Sequence, residues 1–179
     1  FVEIAVSGNE EQMDDESVAA AEEGLDDSVF VGPIPVHGVV APEGVESGDS
    51  RGFSEGSMTS RPLRIPCRWQ KTDIGGHDGA VTVGSVDRIM RKDGLIHWEG
   101  LLMNTEEANE LVDLIQFFDN RYGVSVDGDK GSLDEAASQK NNGTWFDAVR
   151  AAGLTAVAIP AFAEAYVSLG PHPDMPAEM

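Results

Sequence analysis

Apolar residues fall mostly in short runs along this chain, and only one stretch repeats them at clear helical spacing. Val81, Val83 and Val86 predict a strand, with residues 95–103 as its hairpin partner across Asp93-Gly94. An Asp-Gly pair suits the left-handed backbone of a two-residue hairpin turn. In residues 105–118, Ala108, Leu111, Val112, Ile115 and Phe118 recur three or four positions apart or adjacent, predicting a helix with one apolar face. Asn104 is the expected cap, with Glu107 three positions on, and Glu106, Glu110 and Asp113 face water. Residues 29–40 are apolar and β-branched but broken by Pro33 and Pro35, which predicts an edge strand or two short strands. Residues 145–152 read as a short helix, and residues 154–159 as a buried strand stopped by Pro160. The Gly- and Ser-rich residues 41–60 read as loop, and the polar residues 127–143 as a long mobile loop.

Charge changes the picture most at the start. Residues 1–6 suit an edge strand, but residues 7–28 hold dense Asp and Glu with few large apolar side chains. Such a segment gains too little burial to offset its ordering entropy, so a flexible acidic insertion is expected. The 179 residues allow one domain with a sizeable core, expected over residues 29–170, with residues 171–179 as tail or linker. A net charge of −20 argues against direct binding to nucleic acid or an anionic membrane, which requires clustered Lys and Arg. The mostly apolar residues 151–163 are too few to span a bilayer. No targeting signal is evident, and an opening at Phe1 without Met is expected of a processed or cropped product. Cys67 stands alone, so it has no disulfide partner within the chain and is expected to be a buried, inert thiol.

Two residues carry candidate chemistry. His77 sits in a turn, Gly75-Gly76-His77-Asp78-Gly79, and Ser125 in an apolar run, Tyr122-Gly123-Val124-Ser125-Val126-Asp127. A hydroxyl is a poor nucleophile until a neighbouring imidazole takes its proton, and the two need only meet in space. On the residues alone, a turn histidine with no role and an outward-facing strand serine explain the pattern better than a catalytic pair does. His37 reads as a packed or surface imidazole. The Ser125 run lacks the second glycine of a nucleophile elbow, which argues against an α/β-hydrolase. There is no His-Glu-x-x-His and no paired cysteine, and Asp127-Gly128-Asp129 lacks the later ligands of a calcium loop. Neither a metal nor a cofactor is expected.

The order of these features resembles the prohead (capsid maturation) proteases of tailed phages, particularly those infecting actinobacteria. It runs from residues 44–53 through Arg61-Pro62-Leu63-Arg64-Ile65-Pro66, the His77 turn, the Ser125 strand and Ile159-Pro160-Ala161-Phe162. The resemblance covers roughly residues 28–170. It implies an α+β, mainly β chain of the herpesvirus-assemblin type, a partly open antiparallel β-barrel with a few packed helices. It further implies a serine endopeptidase with Ser125 as nucleophile and His77 as general base. The implied substrate is the scaffold segment of the major capsid protein, with self-cleavage and self-association as further expectations. The implied place is the host cytoplasm, inside the assembling prohead. Some family members hold a third residue, Glu, before the Pro-Ala segment, but the corresponding place here is near Gly153. Asp127 would share the strand face of Ser125 and is the first candidate, with Asp147 and His97 as alternatives. A catalytically silent capsid or scaffold component that keeps the fold is the competing expectation.

Overall fold

The computed structural model describes residues 32–72 and 76–176. The described residues belong to one compact unit, Val31–Met179. The expectations for residues 1–6 and 7–28 lie outside the described residues. Nine strands appear in chain order as β1 (Ile34–Pro42), β2 (Arg51–Phe53), β3 (Met58–Ser60), β4 (Ile65–Trp69), β5 (Val81–Lys92), β6 (Leu95–Leu102), β7 (Tyr122–Leu133), β8 (Thr144–Val157) and β9 (Tyr166–Leu169). Helix α1 (Glu106–Phe117) lies between β6 and β7, and α2 (Glu135–Asn141) between β7 and β8.

Seven of the strands close a barrel in the order β8–β4–β5–β6–β1–β9–β7, with β7 returning to β8. The mainly β barrel with few helices is therefore the observed class. Its ring is closed rather than partly open, and the β4–β8 pairing is parallel. Closure leaves none of the seven with an unpaired edge. Trp98, Leu102, Val36, Val83, Leu154 and Val124 fill the interior at no more than 1% exposure. The Trp98 indole N–H donates to the Tyr166 carbonyl at 3.3 Å, so its one polar atom is satisfied. Gly100 lets β5 and β6 approach, because a Cβ there would meet the Ser85 carbonyl oxygen at 1.8 Å.

The β5–β6 hairpin and α1 follow the hydrophobic pattern. Asp93 and Gly94 both take positive φ, 55° and 73°, as a type I′ turn requires. Helix α1 buries Ala108, Leu111 and Ile115 in the core, but Phe118, expected on the same face, is its C-cap and half exposed. Its cap is Thr105 rather than Asn104: the Thr105 hydroxyl accepts from the Ala108 amide at 3.3 Å. Asn104 instead accepts from the Asn109 side chain.

Four expectations fail, each because pairing overrides local composition. Residues 41–60 are not all loop, since β2 and β3 lie within them and pair with β8. β1 is no edge strand, since β6 and β9 flank it. Pro35 is tolerated because it precedes the first residue paired with β9, and its carbonyl accepts from the Gly170 amide at 2.8 Å. Residues 145–152 are not helical but part of the 14-residue strand β8. That strand pairs with β2, β3 and β4 in succession along one edge and with β7 along the other. Residues 127–143 are not a loop: β7 continues to Leu133, and α2 follows. Asp134 caps α2 by accepting from the Ala137 amide at 2.9 Å, and Asn142 ends it in the left-handed region.

Candidate active site

The side chains of β4, β7 and β8 alternate between the core and the outside of the barrel. Cys67, Trp69, Val124, Leu154 and Ala156 join the core, which leaves Arg68, Ser125, Asp127 and Thr155 on the opposite face. Register then groups them. Arg68 is the Cα partner of Thr155 across β4–β8, and Thr155 is the partner of Ser125 across β8–β7. Asp127 lies two residues beyond Ser125, opposite Gly153.

His77 reaches this face from a 3₁₀ turn, Gly76–Gly79. Gly76 takes φ 54°, a conformation that costs glycine little and lets the chain turn sharply into the histidine. The His77 Nδ1–H donates to Asp127 Oδ1 at 2.6 Å. The other carboxylate oxygen, Oδ2, accepts from the Thr155 hydroxyl at 2.6 Å. Thr155 is fully buried, so its hydroxyl must be paired, and Asp127 pairs it. Asp127 is thus held at both oxygens, and it fixes the His77 tautomer with Nε2 unprotonated in the neutral ring. A charge-assisted bond of this kind contributes about 1.5–3 kcal/mol.

Ser125 and His77 line the same open cleft of about 750 Å³, with Arg51, Lys71, Ile159 and Pro160 around them. Ile159 is 90% exposed there, an apolar side chain left open to a ligand. Gly123, two residues before Ser125, lets the strand run under the Pro160 ring, since a Cβ there would lie 2.6 Å from Pro160 Cδ. A small recess of about 50 Å³ opens beside Ser125 between Phe53, Phe146 and Phe162. The described residues give no hydrogen bond between the Ser125 hydroxyl and His77; Nδ1 faces Asp127, and Nε2 is the nitrogen left for the cleft.

Cations surround the group. Arg51 holds the Asp49 carboxyl down to about 2, chiefly by hydrogen bonding, with Ser47 adding to it. Arg68 lines the opening shared by His77, Ser125 and Asp127, and its buried Nε has no hydrogen-bond partner among the described residues. Cys67 lies beneath, on the core face. Burial, and then the Asp127 charge, push its thiol up to about 12, so it is no nucleophile at neutral pH.

The structure therefore brings His77 and Asp127 into contact and sets Ser125 in their cleft. The other two candidates lie elsewhere. The Asp147 carboxylate accepts from the Ser132 hydroxyl on the exposed outer part of β7–β8. His97, on β6, pairs with His172. Asp129 is gripped by Arg61 and Arg150, so two cations already occupy the carboxylate that a calcium loop would need. Thr155, Arg51 and Arg68 escaped the sequence reading. A hydroxyl inside Leu154-Thr155-Ala156-Val157 was the available signal for Thr155, but the lone cations gave none. No family model, curated protein or solved structure matches the chain.

Proposed function

We propose that the chain is a serine endopeptidase in which Ser125 is the nucleophile, His77 the general base and acid, and Asp127 the group that orients His77. The observation that carries this reading is the His77–Asp127 bond at 2.6 Å, formed at the edge of the cleft that holds Ser125. As substrate enters, the Ser125 hydroxyl attacks the scissile carbonyl while His77 Nε2 takes its proton. The imidazolium is stabilised by Asp127, then donates that proton to the leaving amine. Water repeats the sequence to release the acyl group. Thr155 fixes the second oxygen of Asp127, and so the angle at which the first meets His77. Arg68 adds positive charge where the tetrahedral oxyanion develops. A Ser125–His77 hydrogen bond forms with substrate, since such bonds are often long in unliganded enzymes.

The substrate follows from the resemblance: the scaffold segment of a major capsid protein, cleaved inside the prohead, with self-cleavage as a second reaction. The test is co-expression with the cognate capsid protein, comparing the intact chain with Ser125→Ala by mass spectrometry. Truncation of the capsid protein that disappears in the variant supports the reading. Equal, uncleaved masses in assembled particles would favour the catalytically silent capsid component.

A further inference from the structure

Away from the cleft, the three remaining histidines meet on one patch. His37 comes from β1, His97 from β6, and His172 from the segment after β9. The His172 ring stands edge-on to both others, with centroids 5.0 Å from His97 and 5.5 Å from His37. His172 is only 8% exposed although it lies in a non-repetitive terminal segment.

Hydrogen bonding fixes every relevant proton. The Asp174 amide N–H donates to His172 Nδ1 at 3.0 Å, so that nitrogen carries no proton. In the neutral ring the proton is therefore on Nε2, which donates to His97 Nδ1 at 3.0 Å. His97 in turn accepts at Nδ1 and holds its own proton on Nε2. His37 Nδ1–H donates to the Gly170 carbonyl at 2.9 Å and needs no second acceptor. This chain of bonds exists only while His172 and His97 are both neutral. A proton on His172 Nδ1 faces the Asp174 N–H, and a proton on His97 Nδ1 faces the His172 Nε2–H.

We propose that residues 171–176 form a pH-sensitive clasp on the barrel, closed by this neutral imidazole relay and loosened when His172 gains a proton. The charged groups around it do not cancel the effect. Glu99 on β6 is paired with Arg88 on β5, and Asp174 in the tail with Lys92 on β5 at 3.0 Å. Arg88 also donates to the Pro176 carbonyl, so the far end of the segment stays tethered while the histidine end opens. Burial first, then His97 and His37, hold His172 below its ordinary value of 6.5, against smaller opposing pulls from Asp174 and Glu99. The closed form therefore binds fewer protons than the open one. Its stability is complete above 6.5 and is lost as pH falls through the lowered value. The inference is independent of the protease reading.

Hydrogen exchange of the backbone amides, corrected for intrinsic rates, tests it on the full chain. The Asp174 amide is expected to be protected near neutral pH. Its protection should fall about tenfold per pH unit once the clasp titrates, one proton being gained on opening. The Trp98 amide, in the barrel, should not follow. His97→Gln keeps an acceptor but removes one of the groups that hold His172 below 6.5, so the total fall should be smaller, while His172→Phe should remove Asp174 protection at every pH. Nitrogen-15 spectra should show His172 protonated on Nε2 alone near neutral pH. A pH-independent Asp174 amide, a loss in step with Trp98, or a proton on His172 Nδ1 near neutral pH would each overturn the clasp.

Discussion

The four histidines of the chain divide between two regions that use the same ring in opposite ways. His77 stands on a glycine turn, partly open to solvent, with a carboxylate at Nδ1 and Nε2 left toward the cleft. His172 is buried against two other imidazoles, with a backbone N–H at one nitrogen and His97 at the other. The first ring keeps one nitrogen available to a ligand, whereas the second has both engaged within the protein. The difference lies in what the neighbouring strands supply: β7 brings Asp127 to one ring, and β1 and β6 bring histidines to the other. On the proposed reading, the open nitrogen at the cleft serves proton transfer, while the clasp leaves no nitrogen free for it.

The comparison breaks most completely at the nucleophile. Ser125→Ala and His77→Ala should each lower capsid-protein cleavage on the order of 10⁵–10⁶-fold, Ser125→Ala without shifting thermal unfolding and His77→Ala with a modest loss of stability from the broken Asp127 bond. Next comes Asp127→Asn, which makes the His77 environment neutral like that of His172. A loss of about 10⁴ in kcat is expected, with KM nearly unchanged. Gly153 lies opposite Asp127, and a Cβ there would be 3.4 Å from Asp127 Oδ2 and 3.0 Å from the Pro66 carbonyl oxygen, a fit that needs the backbone to give by a few tenths of an ångström. Asp127→Ala combined with Gly153→Asp should therefore recover part of the rate, a carboxylate returning from the other strand.

Smaller effects sharpen the division. Thr155→Val keeps the shape but removes the donor to Asp127 Oδ2. Losing a bond to a charged acceptor should cost about 10–100-fold in kcat, and Thr155→Ser should restore most of it. His172→Phe should open the clasp and leave cleavage at neutral pH within about twofold, as expected of distant sites that share no partner. Cys67, with its thiol pushed up to about 12, should remain unalkylated by iodoacetamide in the folded chain, with activity unaffected.

Parts of this arrangement were legible in the sequence, for identifiable reasons. The β5–β6 hairpin declared itself because period-2 apolar residues flank a dipeptide that accepts positive φ. Helix α1 did so because its apolar stripe packs directly into the core. β8 did not: its outer half mixes Phe146, Asp147 and Arg150 among buried residues, and pairing partners on both edges hold it extended. The outer half of β7 is exposed, and its one large apolar residue, Leu133, is itself 54% exposed, so no alternation marks it as a strand. His77, Ser125 and Asp127 were visible as residue types and through the resemblance. Thr155 and Arg68 became neighbours of Ser125 only through register across three strands, which no single-strand pattern contains. The clasp was hidden for the same reason, since β1, β6 and the terminal segment each contribute one ring.

The central claim is that Ser125 is an activated hydroxyl, and a fluorophosphonate tests it without knowledge of the cleavage site. The serine oxygen displaces fluoride at phosphorus, leaving a stable adduct whose position peptide mass spectrometry reads. The account predicts one adduct, on Ser125, that is lost in His77→Ala and strongly reduced in Asp127→Asn. An adduct on another residue, or none while an authentic serine protease in the same tube is labelled, would contradict it.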